Sequence, residues 1–180
     1  MELTNELADK VIFLDRDGVL NENLEGDYVK TVDELKIFPE AFEAIKLLKD
    51  NGYKTVLITN QRGIALGLMT HEDLATVHRY LQSEMERHGT ALDAIFYCPH
   101  DNDECECRKP KIGLFLEAEK IFDVDKAASF MAGDKASDIE AGRRYGVRTI
   151  SINNLAARAD FDCGDILAAA KHILSVANEN

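Results

Sequence analysis

The feature that most constrains the fold of this chain is the alternation of short apolar segments with longer segments of helical periodicity. Each apolar segment is four to six residues long and precedes a stretch whose apolar residues recur at helical spacing. Strands that alternate with helices predict a parallel sheet covered on both faces, a doubly wound α/β fold of the Rossmann type. We predict strands over 11–14, 54–59, 93–97, 128–132 and 147–152. We predict helices over 39–50, 70–88, 112–122, 136–145 and 165–177.

Length and composition limit the classes of protein to which this chain can belong. The 180 residues suit one domain spanning 1–180, and 33 acidic against 21 basic residues give a net charge of −12. That charge argues against general nucleic-acid binding, which needs a basic surface. No apolar run approaches the roughly 20 residues of a membrane span, and the first ten residues lack the apolar core of a secretory signal. We expect a cytoplasmic monomer with no nucleic-acid or membrane partner.

Polar residues suited to phosphate and to a hard metal ion follow the predicted strands. They are Asp15-Arg16-Asp17-Gly18, Thr59-Asn60-Gln61-Arg62, Arg108-Lys109 after a cysteine-rich loop, and Gly133-Asp134 with Asp138. In open α/β sheets, ligands bind beyond the carboxyl ends of the strands, so we expect these residues to meet at one edge. Cations gathered there would bind a small anion locally, despite the negative net charge.

The chemistry of phosphoryl transfer explains why these residue types occur together. A phosphomonoester is doubly negative and repels a carboxylate, so a carboxylate nucleophile needs a divalent cation beside it. Magnesium prefers oxygen ligands, which Asp15 and Asp134 can supply. A carboxylate can form a covalent phosphoryl intermediate, and Asp17 is placed to donate and accept protons. Thr59 and Lys109 can hold the transferred group.

Three of the four cysteines fall within ten residues, together with one histidine. This cluster lies in a loop over 98–110 and consists of Cys98, His100, Cys105 and Cys107. The fourth cysteine, Cys163, is isolated. A disulfide framework would spread its pairs along the chain, so the cluster favours a metal site in a reducing compartment. The alternative is a group of reduced thiols that bind nothing.

The four polar segments, in this order, resemble the motifs of the haloacid dehalogenase superfamily of phosphatases. Asp15-x-Asp17-Gly resembles the first motif, Thr59 the second, Lys109 the third, and Gly133-Asp134-x-x-x-Asp138 the fourth. The resemblance implies that Asp15 is the nucleophile and Asp17 the general acid and base. It implies Mg²⁺ bound by the carboxylates of Asp15 and Asp134 and by the backbone carbonyl of Asp17. Asp138 would be a supporting acid near the metal or Lys109.

The resemblance extends from about residue 10 to residue 175, and it includes the segments DRDGVLN, TNQRG, CPH, CECRKPK and GDKASD. These segments resemble the subgroup of heptose bisphosphate and histidinol-phosphate phosphatases, which carries a zinc loop. Three thiolates and one imidazole suit tetrahedral structural Zn²⁺ with no open position. The resemblance implies that the loop 98–110 folds around Zn²⁺ and delivers Arg108 and Lys109 to the phosphate. The short spacing between motifs predicts a fold without a large cap domain.

Two substrates remain open within this subgroup. The segment 21–30 and the residues after Gln61 resemble those of enzymes that remove the 7-phosphate of D-glycero-D-manno-heptose 1,7-bisphosphate, which is our leading hypothesis. The short cysteine loop resembles histidinol-phosphate phosphatases, the alternative. Further residues that we expect to contact a phosphorylated substrate are Asn60, Gln61, Arg62, Arg108 and Lys135. Arg62 would reach a second phosphate or narrow the pocket.

Other functional classes fit only part of the pattern. A phospho-accepting signalling domain also places acids, a threonine and a lysine on a parallel sheet, but it needs neither the Asp15-x-Asp17 pair nor a cysteine loop. A polynucleotide phosphatase domain is disfavoured by the net charge. A zinc-dependent interaction module would lack turnover, yet every residue expected for catalysis is present.

Overall fold

The computed structural model describes residues 8–154 and 158–177. Within them the elements are β1 (Lys10–Leu14), α1 (Pro39–Asp50), β2 (Tyr53–Asn60), α2 (His71–Arg87), β3 (Ala94–Cys98), α3 (Gly113–Glu119), β4 (Phe130–Gly133), α4 (Ala136–Tyr145), β5 (Arg148–Ile152), β6 (Phe161–Cys163) and α5 (Ile166–Ala177). A 3₁₀ helix spans Val32–Glu34. The prediction that no secretory signal is present rests on residues 1–10, of which the first seven lie outside the described residues.

The strands form one sheet in the order β3-β2-β1-β4-β5-β6, with every neighbouring pair parallel. This order confirms the predicted doubly wound parallel sheet. The register pairs Leu14 of β1 with Leu57 of β2 and with Ala132 of β4, so these strands end nearly level. The chain order reverses between β1 and β4, where open α/β sheets have their ligand crevice.

Successive residues of β1 face opposite layers because side chains alternate along a strand. Ile12 and Leu14 pack in the layer of α1, α2 and α5, whereas Val11 and Phe13 pack in the layer of α3 and α4. All four side chains are fully buried. A continuous apolar strand suits a sheet that is covered on both faces. Packing of these side chains in the core therefore fixes the position of Asp15, the next residue along the chain.

Helix boundaries follow local signals in the sequence. α1 begins at Pro39, whose fixed φ suits the first helical turn. Before α2, the Thr70 hydroxyl accepts a hydrogen bond from the Asp73 backbone N–H (3.1 Å), and the Asp73 carboxylate accepts one from the Thr70 N–H (2.8 Å). This capping box confirms the predicted start of α2. The ranges of α1 and α4 match the predicted 39–50 and 136–145.

Apart from shifts of one or two residues at element ends and the 3₁₀ helix, which the sequence does not predict, the differences from prediction concern two short elements. α3 ends before residue 122, which is the predicted end of this helix. Ile121 is 63% exposed, so a longer helix would gain no packing from this side chain. β6 is absent from the sequence-based prediction, because three residues give no periodic signal. Polar contacts place it beside β5: the Asp160 carboxylate accepts hydrogen bonds from the Thr149 N–H (2.7 Å) and hydroxyl (2.8 Å).

The described part of the chain contains no separately folded cap, which confirms the capless expectation. Between β1 and α1 the chain forms a loop with the 3₁₀ helix, and between β3 and α3 it forms the cysteine-rich loop. None of the described helices combines the length and the apolar character needed to cross a bilayer.

Candidate active site

Asp15 is the first residue after β1 and is 4% exposed. Its backbone N–H donates to the Ala132 carbonyl oxygen (3.1 Å), so the contact between β1 and β4 extends to this residue. The chain then turns at Gly18, which has a φ of +86°. A Cβ atom at Gly18 would overlap the Asp134 carboxylate, so glycine suits the turn at this position. The two strands thereby bring Asp15 and Asp134 to the same edge.

Lys109 reaches this edge from the cysteine-rich loop and is 3% exposed. Its Nζ lies 2.9 Å from Asp15 Oδ1 and 2.7 Å from Asp138 Oδ1, and it donates to the Ile58 carbonyl oxygen (2.7 Å). Burial alone would lower the pKa of Lys109, but the charges of Asp138 and Asp15 outweigh burial and raise that pKa. Lys109 is therefore a fixed cation beside Asp15, shielded from water.

Three carboxylates meet at this edge, with oxygen atoms of Asp15, Asp134 and Asp138 within 4.8 Å of one another. Asp138 also accepts a hydrogen bond from the Lys135 backbone N–H (3.0 Å). Asp134 Oδ1 is buried and has no hydrogen-bond partner among the described residues. Burial, with repulsion from Asp15, raises the pKa of Asp134 to about 6. A buried, unpaired carboxylate oxygen beside two further carboxylates fits a divalent cation that prefers oxygen ligands.

The Asp17 carboxylate is held by three neighbouring side chains. Arg16 donates to it from Nε (3.1 Å) and from Nη2 (2.9 and 3.0 Å). Asn21 Nδ2 donates at 2.9 Å and Gln61 Nε2 at 3.0 Å. Burial would raise the pKa of Asp17, but the positive charge of Arg16 and these hydrogen bonds outweigh burial and lower it. Asp17 is therefore ionised at neutral pH in this arrangement.

The residues after β2 connect these groups. Gln61 Nε2 donates to Asp17 Oδ2 (3.0 Å) and to Thr59 Oγ1 (2.9 Å), which places the Thr59 hydroxyl one amide group away from the Asp17 carboxylate. Asn60 pairs with the backbone of Lys109, because its Nδ2 donates to the carbonyl oxygen and its Oδ1 accepts from the N–H, both at 3.0 Å. Asn60 and Gln61 thus position other site residues, and their direct contact with substrate stays a prediction.

A cavity of about 630 Å³ opens beside Lys109. Six cationic side chains line it, against the single carboxylate of Asp103 among the described residues, although the protein is acidic. These cations are Arg62, Arg108, Lys109, Lys111, Lys135 and Arg144. The structure therefore brings together the four cations predicted to contact substrate, Arg62, Arg108, Lys109 and Lys135. Tyr28 also lines this cavity and belongs to the segment 21–30, for which the sequence predicts a role in substrate recognition. Sequence reasoning misses Arg144, which lines the same cavity and carries no motif signal.

Arg62 and Arg108 each contact the cysteine-rich loop from the wall of this cavity. Arg62 Nε lies 2.5 Å from Asp101 Oδ1, and this hydrogen bond raises the pKa of Arg62. Arg108 Nε donates to Asn102 Oδ1 (3.0 Å). Arg108 Nη1 is buried and has no hydrogen-bond partner within the described ranges. A buried donor without a partner fits an anion in the cavity.

The Cys/His cluster converges on one point. The separations are 3.5 Å between Cys98 Sγ and Cys105 Sγ, 3.3 Å between Cys105 Sγ and Cys107 Sγ, 3.6 Å between Cys98 Sγ and His100 Nδ1, and 3.3 Å between His100 Nδ1 and Cys107 Sγ. Tetrahedral zinc, with bonds of about 2.3 Å to sulfur and about 2.0 Å to nitrogen, needs ligand separations of roughly 3.5–3.8 Å. The separations in the cluster equal or fall slightly below these values, and the cluster fits a zinc-binding loop with four protein ligands.

The path of this loop is set by close contacts with the start of α3. A Cβ atom at Gly113 would lie 2.5 Å from the Glu106 carbonyl oxygen and 2.8 Å from Cys107 Cα. Lys111 Nζ donates to the Cys105 carbonyl oxygen (2.7 Å). These contacts hold the turn that leads from Cys107 to Lys109.

Sequence reasoning also misses the surroundings of Asp17. Arg16 is 0% exposed, and its Nη1 lies 3.2 Å from Nε2 of His78. Burial, with the nearby charge of Arg16, lowers the pKa of His78 to about 3, so the ring is neutral. The sequence signal for Arg16 is its place in the polar segment that follows β1. Nothing local links His78 to the site, since the two residues lie 62 positions apart.

Comparison with known proteins agrees with this geometry. Over 151 residues the chain is 38% identical to the D-glycero-beta-D-manno-heptose-1,7-bisphosphate 7-phosphatase of Haemophilus ducreyi, covering 79% of this chain and 82% of the relative. Over 141 residues it is 40% identical to the protein of the same name from Pasteurella multocida, covering 74% and 76%. These relatives confirm the resemblance that the motifs indicate.

The fold leads to the same group of proteins. The crystal structure of D,D-heptose 1,7-bisphosphate phosphatase from B. bronchiseptica complexed with magnesium and phosphate matches with a TM-score of 0.86 and 33% identity, covering 93% of this chain and 99% of that one. Residues 4–146 match the haloacid dehalogenase-like hydrolases. This chain belongs to the haloacid dehalogenase-like hydrolase family.

Proposed function

We propose that this chain is a Mg²⁺-dependent phosphoric monoester hydrolase that removes the 7-phosphate of D-glycero-D-manno-heptose 1,7-bisphosphate through an aspartyl-phosphate intermediate. The observation that carries the proposal is the buried Asp15 beside Asp134 and Lys109, the last of which lines a cation-rich cavity. The names of the two bacterial relatives support the choice of substrate.

Asp15 and Asp134 would hold Mg²⁺ through their carboxylates, and Asp17 through its backbone carbonyl. The buried and unpaired Asp134 Oδ1 supports this set of ligands. Asp138 is paired with Lys109, which favours a supporting role near the metal rather than direct ligation. When bound, Mg²⁺ supplies positive charge that offsets the repulsion between a carboxylate and phosphoryl oxygens.

In the first step, a carboxylate oxygen of Asp15 attacks phosphorus, and the bond between phosphorus and the sugar oxygen breaks. Lys109, whose Nζ lies 2.9 Å from Asp15 Oδ1, and the Thr59 hydroxyl balance the negative charge on the transferred phosphoryl oxygens. Asp17 gives its proton to the departing sugar oxygen. The products of this step are a phosphorylated Asp15 and the heptose monophosphate.

In the second step, a water molecule attacks the phosphorus of the phosphorylated Asp15. Asp17 takes a proton from this water, and the bond between phosphorus and the Asp15 oxygen breaks. Inorganic phosphate leaves, and Asp15 is a carboxylate again. Asp17 holds the proton taken from water at the end of this step and releases it to solvent when phosphate leaves and the free site is restored.

The arrival of substrate helps to protonate Asp17. In the free site the pKa of Asp17 lies below its usual value, because Arg16 and the amide donors outweigh burial. A doubly negative phosphate nearby raises that pKa by repulsion. Gln61 joins Asp17 to Thr59, so the carboxylate stays next to the place proposed for the phosphoryl group.

The charge of the cavity favours a bisphosphate over histidinol phosphate. With one phosphate beside Asp15 and Lys109, the cations Arg62, Arg108 and Lys135 remain for a second one. Histidinol phosphate carries a single phosphate and an ammonium group, and the cationic lining would repel the ammonium group. On this proposal Arg62 reaches the second phosphate rather than narrowing the pocket.

Zn²⁺ is the proposed structural ion of the loop 98–110, held by Cys98, His100, Cys105 and Cys107. With four protein ligands it has no open position for substrate, so its role is to order the loop. That order matters for activity, because Arg108 and Lys109 follow Cys107 directly in the sequence.

Residues 1–180 are proposed to form one phosphatase domain that works as a cytoplasmic monomer. A reducing compartment keeps the three clustered thiols available for a metal. The net charge of −12 favours a small phosphorylated sugar as partner over nucleic acid or an anionic membrane surface.

The test is phosphate release in Mg²⁺ from a matched panel, with the Asp15→Asn variant as blank. The panel holds both anomers of the heptose 1,7-bisphosphate, histidinol phosphate and a simple sugar monophosphate. We expect kcat/KM for one heptose anomer to exceed the others by about 100-fold or more. A preference for histidinol phosphate would replace the proposed substrate and leave the mechanism standing. No turnover of any compound would overturn the enzymatic proposal.

A further inference from the structure

Arg16 is the largest of the fully buried side chains among the described residues, and it carries a charge. A guanidinium taken out of water is costly unless a paired charge and hydrogen bonds compensate it. The only carboxylate paired with it in the described ranges is Asp17. Arg16 does not line the cation-rich cavity, so its charge is directed at Asp17 rather than at a ligand there.

The contact between Arg16 and Asp17 is a two-point fork. Nε lies 3.1 Å and Nη2 2.9 Å from Asp17 Oδ1, while Nη2 also lies 3.0 Å from Oδ2. A planar guanidinium that donates to both oxygens sets the orientation of the carboxylate plane as well as its position. A lysine ammonium would supply the charge without that geometry.

The far side of the guanidinium is braced by α2. Arg16 Nη1 lies 3.2 Å from His78 Nε2, and a guanidinium can only donate, so this ring nitrogen is the acceptor. His78 is buried and meets the ring of Tyr97 edge-on, with ring centroids 6.0 Å apart. Helix α2 and strand β3 therefore fix the guanidinium from behind while it faces Asp17.

The turn after Asp17 does not depend on the Arg16 side chain. The Arg16 carbonyl oxygen accepts hydrogen bonds from the N–H groups of Val19 (3.2 Å), Leu20 (2.8 Å) and Asn21 (3.3 Å). These backbone contacts remain when the side chain is replaced. A substitution at Arg16 therefore removes the fork and leaves the turn in place.

We propose that Arg16, braced by His78, is a positioning residue that holds the Asp17 carboxylate in the orientation from which it exchanges protons with the sugar oxygen and with water. The inference rests on the proposed phosphatase mechanism. It assigns a role to a residue that lies outside the cation-rich cavity.

An aryl phosphate separates the proton transfer from the remaining chemistry. The sugar oxygen needs a proton in order to leave, whereas p-nitrophenolate leaves as a stable anion. The first turnover of p-nitrophenyl phosphate therefore reports the attack by Asp15 without help from Asp17. Single-turnover rates with the heptose bisphosphate report both the attack by Asp15 and the proton transfer from Asp17.

The experiment compares the wild type, Arg16→Met, Asp17→Asn and the double variant in single-turnover reactions with both esters in Mg²⁺. Arg16→Met should slow the first turnover of the heptose bisphosphate by about 100-fold, in the range of general acid catalysis, and that of p-nitrophenyl phosphate by less than about 3-fold. In the Asp17→Asn background, Arg16→Met should add less than about 3-fold, since the two residues act as one unit.

Three further variants keep the test decisive if Arg16→Met fails to fold, which its thermal melt would reveal. Arg16→Lys keeps the charge and loses the fork, so it should still slow the heptose bisphosphate far more than the aryl phosphate. His78→Phe removes the acceptor behind the guanidinium and should show the same selectivity in weaker form, whereas His78→Gln keeps an acceptor oxygen and should restore the rate.

Equal losses on the two esters, or an undiminished effect of Arg16→Met in the Asp17→Asn background, would show that Arg16 is merely structural and overturn the inference alone. An Arg16→Lys variant with full activity on the heptose bisphosphate would do the same, because charge would then suffice. A wild type that turns over neither ester would overturn the proposed function, and the inference with it.

Discussion

The carboxyl edge of the sheet and the loop 98–110 both gather side chains for chemistry, but they hold them by different means. At the sheet edge, Asp15 and Asp134 directly follow strands that are buried in the core, and the backbone of those strands fixes where the carboxylates meet. In the loop, His100, Cys105 and Cys107 are partly exposed and belong to no helix or strand. Their convergence fits the proposed binding of one shared ion.

Lys109 joins the two regions. It follows the cysteine cluster in the chain, yet its ammonium lies between Asp15 and Asp138 at the sheet edge. Asn60, at the end of β2, holds the Lys109 backbone from the sheet side. On the proposed function, the difference teaches that one site draws its geometry from burial on one side and from metal coordination on the other.

The largest effect is expected from removing the nucleophile at the sheet edge. Asp15→Asn keeps the shape of the side chain but leaves no carboxylate to attack phosphorus, so kcat should fall by about 10⁴-fold or more. The melting temperature should stay close to that of the wild type, because Lys109 keeps its ion pair with Asp138 and the strands still hold this edge. The measurement is phosphate release beside a thermal melt, with the exposed Asp33→Asn as control. A collapsed fold in Asp15→Asn would break the comparison.

The connection between the regions should be the next most sensitive point. Lys109→Met leaves the buried carboxylates of Asp15 and Asp138 without their cation, which should lower the free energy of unfolding by about 3 kcal/mol. The matched control is Lys120→Met, whose ammonium pairs with the exposed Glu117 and should contribute about 0–1 kcal/mol. Urea unfolding at pH 7 measures both. Similar losses in the two variants would mean that burial of the pair is unimportant.

A smaller effect is expected in the loop itself. Cys107→Ser removes one of the four proposed ligands, so bound zinc should be lost and kcat/KM should fall by about 10–100-fold through disorder of the residues that precede Lys109. Elemental analysis of the purified protein and the phosphate-release assay measure the two quantities. Cys163→Ser, on β6 and outside the cluster, should keep both. If Cys107→Ser kept both its zinc content and its activity, metal coordination would not explain the geometry of the loop, and the contrast with the sheet edge would fail.

The smallest expected effect is the pH dependence of folding stability that follows from the burial of His78. The pKa of His78 is lowered to about 3 in the folded state, against 6.5 for an ordinary histidine. Between these values the unfolded chain binds the proton more tightly, so folding stability falls as pH drops below 6.5. At pH 5 this linkage lowers the free energy of unfolding by about 2 kcal/mol.

His78→Gln removes that linkage and should flatten the loss of stability between pH 7 and pH 5. Urea unfolding at the two pH values, in the wild type and in the variant, measures the difference. An identical loss in both proteins would show that His78 is not buried as a neutral ring.

Much of this architecture is readable from local sequence. Apolar runs that alternate with helical periodicity predict the parallel sheet, and the boundary signals at Pro39 and Thr70 predict the starts of α1 and α2. The acids, hydroxyls and cations that follow each strand predict one site, because parallel strands end at the same edge. The cysteine spacing predicts one metal-binding loop. Each of these features depends on residues that are close together in the sequence, or on a periodicity that a short stretch of sequence is enough to reveal.

The remaining features depend on contacts between distant residues, and no local pattern carries them. The strand order that sets β1 between β2 and β4, the pairing of Asn60 with the backbone of Lys109, and the brace of His78 behind Arg16 join positions 43 to 118 residues apart. The protonation of Asp17, Asp134 and His78 depends on burial, which exists only once the helices have covered the sheet. The sequence alone thus identifies which residues form the site. Packing in the tertiary structure determines their charges and orientations, because both depend on how much water the folded chain excludes.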